Sequence, residues 1–301
     1  MEQSYKIFCF GYGYSCDYLG HELLQHPNWK VAGTTRDAEK RETLEARGIE
    51  AYVFDSLTPL PDLAYIFDDV THVLISTPPG DGGDPTFLSC AQELVKLKNL
   101  QWVGYLSTTS VYGDRGGDWV DESSEVRPTS KRGSRREKAE EQWLSLHESH
   151  ELPVHIFRLA GIYGPGRSAL DSFRAGVARR VDKPGHAFSR IHVEDIVNVL
   201  KASIAKPNPG RVYNVCDDEA APSHEVIKYA YELLGRPPPP LIPFEEADMP
   251  PMAQSFYKDN KRVRNDRIKE ELSVELKYKT FREGLKGCLD AEEYALSLFQ
   301  A

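Results

Sequence analysis

The chain has 301 residues, room for one large α/β domain or one with a smaller lobe, and its composition, 40% hydrophobic and 28% charged, is that of a globular protein. A formal net charge of −9 gives no electrostatic footprint for nucleic acid or an anionic membrane. No stretch approaches the roughly 20 apolar residues of a membrane-spanning helix. The five cysteines stand singly, without Cys-x-x-Cys spacing, and read as reduced thiols. The nine histidines form no H-x-x-x-H or mixed Cys/His cluster, so no metal site is expected. An apolar strand at the very start leaves no room for a leader peptide, and a cytoplasmic location is expected.

Residues 6–20, KIFCFGYGYSCDYLG, set the pattern of the fold. The apolar run Ile7–Phe10 stops at a Gly-Tyr-Gly turn and hands over to a helical pattern. Strand, tight glycine turn and helix are the first half of a dinucleotide-binding βαβ unit. Gly11 takes the turn's backbone angles, and Gly13 lets a pyrophosphate approach the backbone. The amides of the helix start, at Tyr14 and Ser15, point at that anion. The third glycine of G-x-G-x-x-G is replaced by Cys16. A ligand-free strand–helix turn is the alternative reading.

The second strand, Lys30–Arg36, ends at the position that faces the adenosine ribose. NAD sites place an acid there, whereas this strand ends Thr35-Arg36, and a guanidinium pairs with a 2′-phosphate through its planar fork. NADP is therefore the expected cofactor, with NAD the alternative if Asp37 takes the ribose. Strand and helix go on alternating: helix 38–47, strand 49–54 closing at Asp55, strand 72–76 running into Thr77-Pro78-Pro79-Gly80, helix 85–98, strand 102–106. Asp55, Thr77 and Pro78 lie at carboxyl ends of strands, where a doubly wound sheet lays its cofactor. Residues 113–131 read as a polar loop, 132–147 as a charged helix and 153–159 as a buried strand. Beyond it come a helix near 170–180, strand 189–192 with an amphipathic helix, strand 212–215, helix 223–234, a proline run at 237–240 and a last helix over about 280–299. The expected fold is α/β, a Rossmann-type doubly wound parallel sheet with a smaller C-terminal substrate lobe interleaved with it. The dinucleotide domain is expected over 1–165, with contributions from about 186–216, and the lobe over 166–301.

Several segments, in order along most of the chain, carry a resemblance: GYGYSCDYLG, LSTTSVYGD at 106–114, VDE at 120–122, RLAGIYGPGR at 158–167, IHVEDIVNVL at 191–200, RVYNVCDDE at 211–219 and FREGL at 281–285. The chain resembles the extended short-chain dehydrogenase/reductases of the NAD-dependent epimerase/dehydratase kind. The resemblance implies a catalytic Ser or Thr four residues before the Tyr of the VYG turn, which falls on Thr108. It also implies a Tyr-x-x-x-Lys pair on the next helix, four residues before Glu140. Arg132 and Arg136 stand there instead. An arginine does not relay protons near neutral pH, although Arg136 retains the charge to bind a ribose or phosphate. The chain thus resembles an atypical branch that keeps the nucleotide fold without the active-site pair.

Tyr112 and Tyr163, on turns at the cofactor end, are candidates for a displaced phenol, with packing around the cleft as the alternative. Thr109, Tyr112, Arg167 with Ser168, and Arg190 are the candidate substrate contacts; the arginines suit a phosphorylated or nucleotide-linked ligand. Val193 and Asp195 read as anchor and cap of a structural helix. Lys131, Arg132, Arg135, Arg136 and Lys138 alternate with acids and read as a solvated helix face, not a nucleic-acid patch. Two functions are expected to compete. One is an NADP-preferring oxidoreductase or epimerase on a sugar-like substrate, in which Thr108 polarises the reacting oxygen. The other is a non-catalytic dinucleotide sensor acting on a protein partner. The resemblance also implies dimerisation through helices 85–98 and 132–147, so monomer and homodimer both stay open.

Overall fold

The computed structural model of the chain describes residues 4–55 and 57–298. By compactness it divides into two units. One holds residues up to 111 with 130–158 and 199–213; the other holds 112–129, 159–198 and the residues from 214 on. These segments are finer than the two spans drawn from the sequence.

Strands and helices alternate through the first unit: β1 (Tyr5–Phe10), α1 (Tyr14–Leu24), β2 (Trp29–Thr35), α2 (Ala38–Glu45), β3 (Glu50–Val53), α3 (Leu63–Phe67), β4 (His72–Ile75), α4 (Pro85–Leu94), β5 (Trp102–Thr108), α5 (Lys131–His150), β6 (Val154–Leu159) and β7 (Val212–Val215). The seven strands make one sheet in the order β7-β6-β5-β4-β1-β2-β3. The pairings from β3 through β2, β1 and β4 to β5 are parallel. The doubly wound architecture expected from the alternation is the one observed. Strand order reverses between β1 and β4, and at such a switch point the loops beyond the carboxyl ends diverge into a ligand crevice.

Phe8, Phe10, Phe54, Phe67, Tyr105 and Trp143 share one buried cluster with Val73 and Ile75. Each such side chain contributes about 1.5–3 kcal/mol relative to exposure. At the opposite end of the strands Lys6, almost buried, is held by Glu50 at 2.7 Å and Asp69 at 2.9 Å.

The second unit contains three short parallel strand pairs: Gly161–Tyr163 with Arg190–His192, Arg180–Asp182 with Leu241–Pro243, and Trp119–Val120 with Arg262–Val263. Helices Ala169–Arg174, Ser223–Leu233 and Phe281–Leu298 pack Leu170, Val226, Ala230, Phe281 and Leu285 around Tyr163. Trp119 is half exposed, under the Arg264 guanidinium at 5.5 Å from its ring centre.

Boundaries shift in places. Helix α4 stops at Leu94, short of 98, and α5 runs on to His150, where Glu151 takes the left-handed closing conformation usually given to glycine. Residues 113–131 are not wholly loop, since Trp119–Val120 pair with a strand far along the sequence. The last helix is Phe281–Leu298; residue 299 lies outside the described residues. Among the described residues no helix is long and apolar enough to cross a membrane.

Candidate dinucleotide site

Strand β1 ends at Gly11, whose φ is +77°. A Cβ there would stand 3.1 Å from the Thr77 backbone nitrogen, so glycine lets the loops after β1 and β4 meet at the switch point. Thr34 fixes the turn twice: its hydroxyl accepts the Gly11 N–H at 2.8 Å and its carbonyl the Tyr12 N–H at 2.7 Å. Gly13 closes a tight turn on Gly11 O at 2.7 Å and precedes α1, whose first turn has no side-chain cap. The nearest atom to a Cβ on Gly13 would be Gly11 O at 3.7 Å, which leaves room above an amide-bearing helix start. Tyr14 and Ser15 open that helix, Tyr14 half-buried and Ser15 buried.

The close packing usually given to the third glycine falls to residues that sequence reasoning missed. A Cβ on Gly20 would stand 1.9 Å from the Tyr12 hydroxyl oxygen, and one on Gly33 would stand 2.8 Å from both the Tyr12 ring and Cys9 O. Tyr12 thus lies buried between α1 and β2. A glycine inside a helix and another inside a strand were the available signals.

At the end of β2, Thr35 accepts the Asp37 N–H at 3.2 Å, and Asp37 caps α2 through the amides of Glu39 at 2.9 Å and Lys40 at 3.4 Å. Arg36 is exposed. Asp55 folds back on its own loop, accepting Leu57 and Thr58 N–H at 2.7 and 2.8 Å. Those bonds, more than the nearby Arg36 charge, hold its carboxyl below the usual range. Lys40 reaches the turn directly, its Nζ 2.7 Å from Tyr12 O. Thr77 shares a hydroxyl hydrogen bond with Thr86 at 2.8 Å, and Pro78 is exposed. Between them and α4 lies Asp84, which caps the helix through Thr86 and Phe87 and accepts Trp143 Nε1–H at 3.0 Å.

At the end of β5, Thr108 and Thr109 are half-exposed, and the Thr108 hydroxyl accepts the Ser110 N–H at 3.2 Å. Arg136 on α5 donates to Leu106 O at 2.6 Å and to the Tyr105 hydroxyl at 3.0 Å. One turn on, buried Glu140 accepts Ser107 Oγ–H and grips buried Arg158 through Nη2 at 2.7 Å. One turn back, Arg132 is exposed.

The remaining candidates lie in the second unit. Tyr112 is fully buried, with its hydroxyl donating to Asn214 Oδ1 at 2.7 Å. Tyr163 donates to Thr280 O at 3.5 Å, sets its ring edge-on to His192 and fills space left by Gly284. Burial pushes its phenol far above the usual range. Both hydroxyls are engaged inside the unit. Arg190 donates from Nη1 to the carbonyls of Phe188 and Ala221, both at 2.9 Å. Arg167 is exposed on the turn bridging back to Gly164, and Ser168 caps the next helix in a capping box with Asp171. Asp195 accepts the N–H groups of Lys277 at 2.7 Å and Tyr278 at 3.0 Å, so it anchors a distant loop, and it also accepts Asn198 Nδ2–H on its own helix at 3.4 Å. Asp217, unremarked in the sequence, is buried with Oδ2 unpartnered among the described residues, and burial raises its carboxyl to about 8.

A profile of the NAD dependent epimerase/dehydratase family matches residues 91–216. Protein YeeZ of Escherichia coli K12 is 31% identical over 255 residues, 78% of this chain and 85% of YeeZ. The chain belongs to the NAD-dependent epimerase/dehydratase family. A functionally unknown conserved protein from Silicibacter pomeroyi, 49% identical, superposes with a TM-score of 0.87 over 96% of this chain and all of that one. The dTDP-glucose 4,6-dehydratase of Bacillus anthracis, solved in complex with NAD, shares the fold at 18% identity, with a TM-score of 0.77 over 97% of each chain. The positions at which the sequence resemblance expects the Tyr-x-x-x-Lys pair fall on α5, where the exposed Arg132 and the tethered Arg136 stand.

Proposed function

We propose that the first unit binds NADP(H) in preference to NAD(H). The observation that carries the reading is the division of labour at the end of β2. Asp37, the residue able to accept a ribose hydroxyl, is turned onto α2, where its Oδ1 caps the amides of Glu39 and Lys40, and Arg36 stands exposed beside it. The glycine turn at the switch point, with Thr77 against Gly11, fits the pyrophosphate. Tyr14 and Ser15 begin the helix aimed at it, and Thr35, Asp55 and Pro78 frame the adenosine side. Arg136 supplies a fixed cation for the nicotinamide ribose. A bound dinucleotide of this kind supplies or accepts hydride. In this chain Thr108 is the half-exposed hydroxyl beside that position, and it would polarise the oxygen of a sugar-like, nucleotide-linked substrate.

One specific set of observations favours the second reading, a dinucleotide sensor without turnover. Arginines replace the proton-relaying pair, and both candidate phenols, Tyr112 and Tyr163, are bonded internally. Turnover of a sugar-nucleotide panel that is lost in Thr108→Ala would dispose of it.

The deciding test is calorimetric titration with NADPH and NADH, alongside Arg36→Ala. A charge-assisted contact is worth about 1.5–3 kcal/mol, so NADPH should bind about 10- to 150-fold more tightly and lose that margin in the variant. No binding of either at millimolar concentration, or equal binding of both, overturns the proposal.

A further inference from the structure

Between Lys30 and Arg47, along β2, α2 and the turn that follows, the chain carries five cations. Three are answered by carboxylates: Lys30 by Asp69 at 3.5 Å, Arg41 by Glu45 at 3.6 Å and Arg47 by Asp17 at 2.8 Å. The other two, Arg36 and Lys40, are exposed and have no carboxylate at ion-pair distance among the described residues. Arg36 already has its place in the dinucleotide reading. Lys40 has none, yet its ammonium is held in position: Nζ donates to Tyr12 O at 2.7 Å, reaching from α2 to the middle of the glycine turn.

That bond completes a clamp. Tyr12 N–H is taken by Thr34 O on β2 at 2.7 Å, and the Tyr12 carbonyl is taken by Lys40 from the next helix. A bare carbonyl in an anion cradle turns partial negative charge towards the ligand; here an ammonium covers it and brings a full positive charge. A lysine ammonium has three donors, so the bond to Tyr12 leaves two for a ligand. Gly13 comes next, where the nearest atom to a Cβ would be Gly11 O at 3.7 Å, and the turn is open there. The amides of Glu39 and Lys40 at the start of α2 are closed to an anion because Asp37 Oδ1 accepts them. Positive charge beyond the end of β2 therefore has to come from side chains.

We propose that Lys40 is a second specificity-determining cation of the dinucleotide site, binding the 2′-phosphate from the side of the glycine turn while Arg36 binds it from the end of β2. A phosphate monoester carries about −1.5 to −2 charges at neutral pH, so it has use for both cations, whereas a ribose hydroxyl has use for neither. Tyr12 O fixes the ammonium before the ligand arrives, which spares part of the ordering cost of a long side chain. This assignment rests on the dinucleotide reading and deepens it, since the preference for NADPH then belongs to two residues, not one.

The test is calorimetric titration of the full chain with NADPH and NADH, and with adenosine 2′,5′-bisphosphate and adenosine 5′-monophosphate, which differ only in the 2′-phosphate. Lys40→Met keeps the stem and removes the ammonium. It should weaken NADPH and the bisphosphate about tenfold, the low end for a charge-assisted contact, and NADH and the monophosphate by less than about twofold. Lys40→Arg, which restores the charge and a donor for Tyr12 O, should recover most of the loss. Arg41→Gln removes the same charge one residue along and should leave the ratio of NADPH to NADH affinity within about twofold. Equal losses for NADPH and NADH in Lys40→Met mean a lysine that holds the turn or meets the pyrophosphate, and they overturn the assignment. An equal fall of the ratio in Arg41→Gln overturns it as well. A preference for NADPH that falls in Arg36→Ala and survives Lys40→Met intact overturns Lys40 alone and leaves the cofactor reading standing. A wild-type protein that binds neither dinucleotide, or both alike, overturns the two together.

Discussion

Replacing Glu140 by glutamine keeps the shape of the side chain and removes its charge from beneath the end of β5. The carboxylate is 3% exposed and its partner Arg158 is 6% exposed. Three contacts from Arg158 converge on it, Nε to the two oxygens at 3.2 and 3.1 Å and Nη2 at 2.7 Å, with the Ser107 hydroxyl as a fourth. Breaking such a buried pair from one side leaves a guanidinium without its carboxylate and costs about 3–5 kcal/mol. Against a typical total of about 5–15 kcal/mol that is a large fraction. Urea unfolding followed by circular dichroism should show the midpoint falling with an unchanged slope. Glu140→Leu with Arg158→Met, which removes both charges and keeps apolar volume, should recover most of the loss, because the desolvation cost of each ion disappears with it. Glu140 is one turn from Arg136 and Ser107 adjoins Thr108, so a dinucleotide at a hundred times its Kd should return about 2.7 kcal/mol to the single variant. A glutamine variant that loses less than about 1 kcal/mol, the value of an exposed ion pair, would refute the argument. So would a double variant as unstable as the single.

Two glycines with nearly equal backbone angles separate strain from contact. Gly11→Ala at φ +77° and Gly48→Ala at φ +80° share a left-handed penalty of about 1–2 kcal/mol, but only at Gly11 does the new methyl meet Thr77 at 3.1 Å. Gly11→Ala should therefore unfold at lower urea than Gly48→Ala and bind dinucleotide more weakly; equal midpoints would contradict the close approach of the two loops. Acid should also destabilise the protein through buried neutral histidines. Burial lowers His155 from 6.5 to about 4, and its Nε2 accepts the Asn208 N–H at 2.9 Å. The unfolded chain binds the extra proton first, so stability is lost as pH falls from about 6.5 towards 4. His155→Gln, which keeps an acceptor and does not titrate, should show a shallower loss over that window, and an identical pH profile would count against the assignment.

The sheet was legible because its determinants are local. The apolar runs at Ile7–Phe10 and at 72–75, each closed by glycine or proline, fix the switch point and the turn. Arg36 and Asp37 were equally legible as types, but their roles were not. That Asp37 caps α2 rests on the extended backbone it adopts before the helix, which its residue type does not announce. Thr34 was hidden because its service to Gly11 crosses from one strand to its neighbour. The bonding partners of Arg190 and Tyr163, Ala221 and Thr280, come from far along the chain, so the sequence could not show them. Helix α5 outran its expected end because Glu151 adopts a conformation that its residue type does not announce.

The four tryptophans are unevenly shared. Trp29, Trp102 and Trp143 belong to the first unit, the last two fully buried, and Trp119 alone belongs to the second, half exposed beneath Arg264. Each unit therefore carries its own optical signature without a label. Emission from the buried Trp102 and Trp143 should be blue and shielded, and emission from Trp119 red and open to iodide. A quencher that silences Trp119 leaves a signal that reports on the dinucleotide unit by itself. Trp143, hydrogen-bonded to the aspartate that closes the Thr77–Asp84 loop, stands next to whatever that loop does when a ligand arrives.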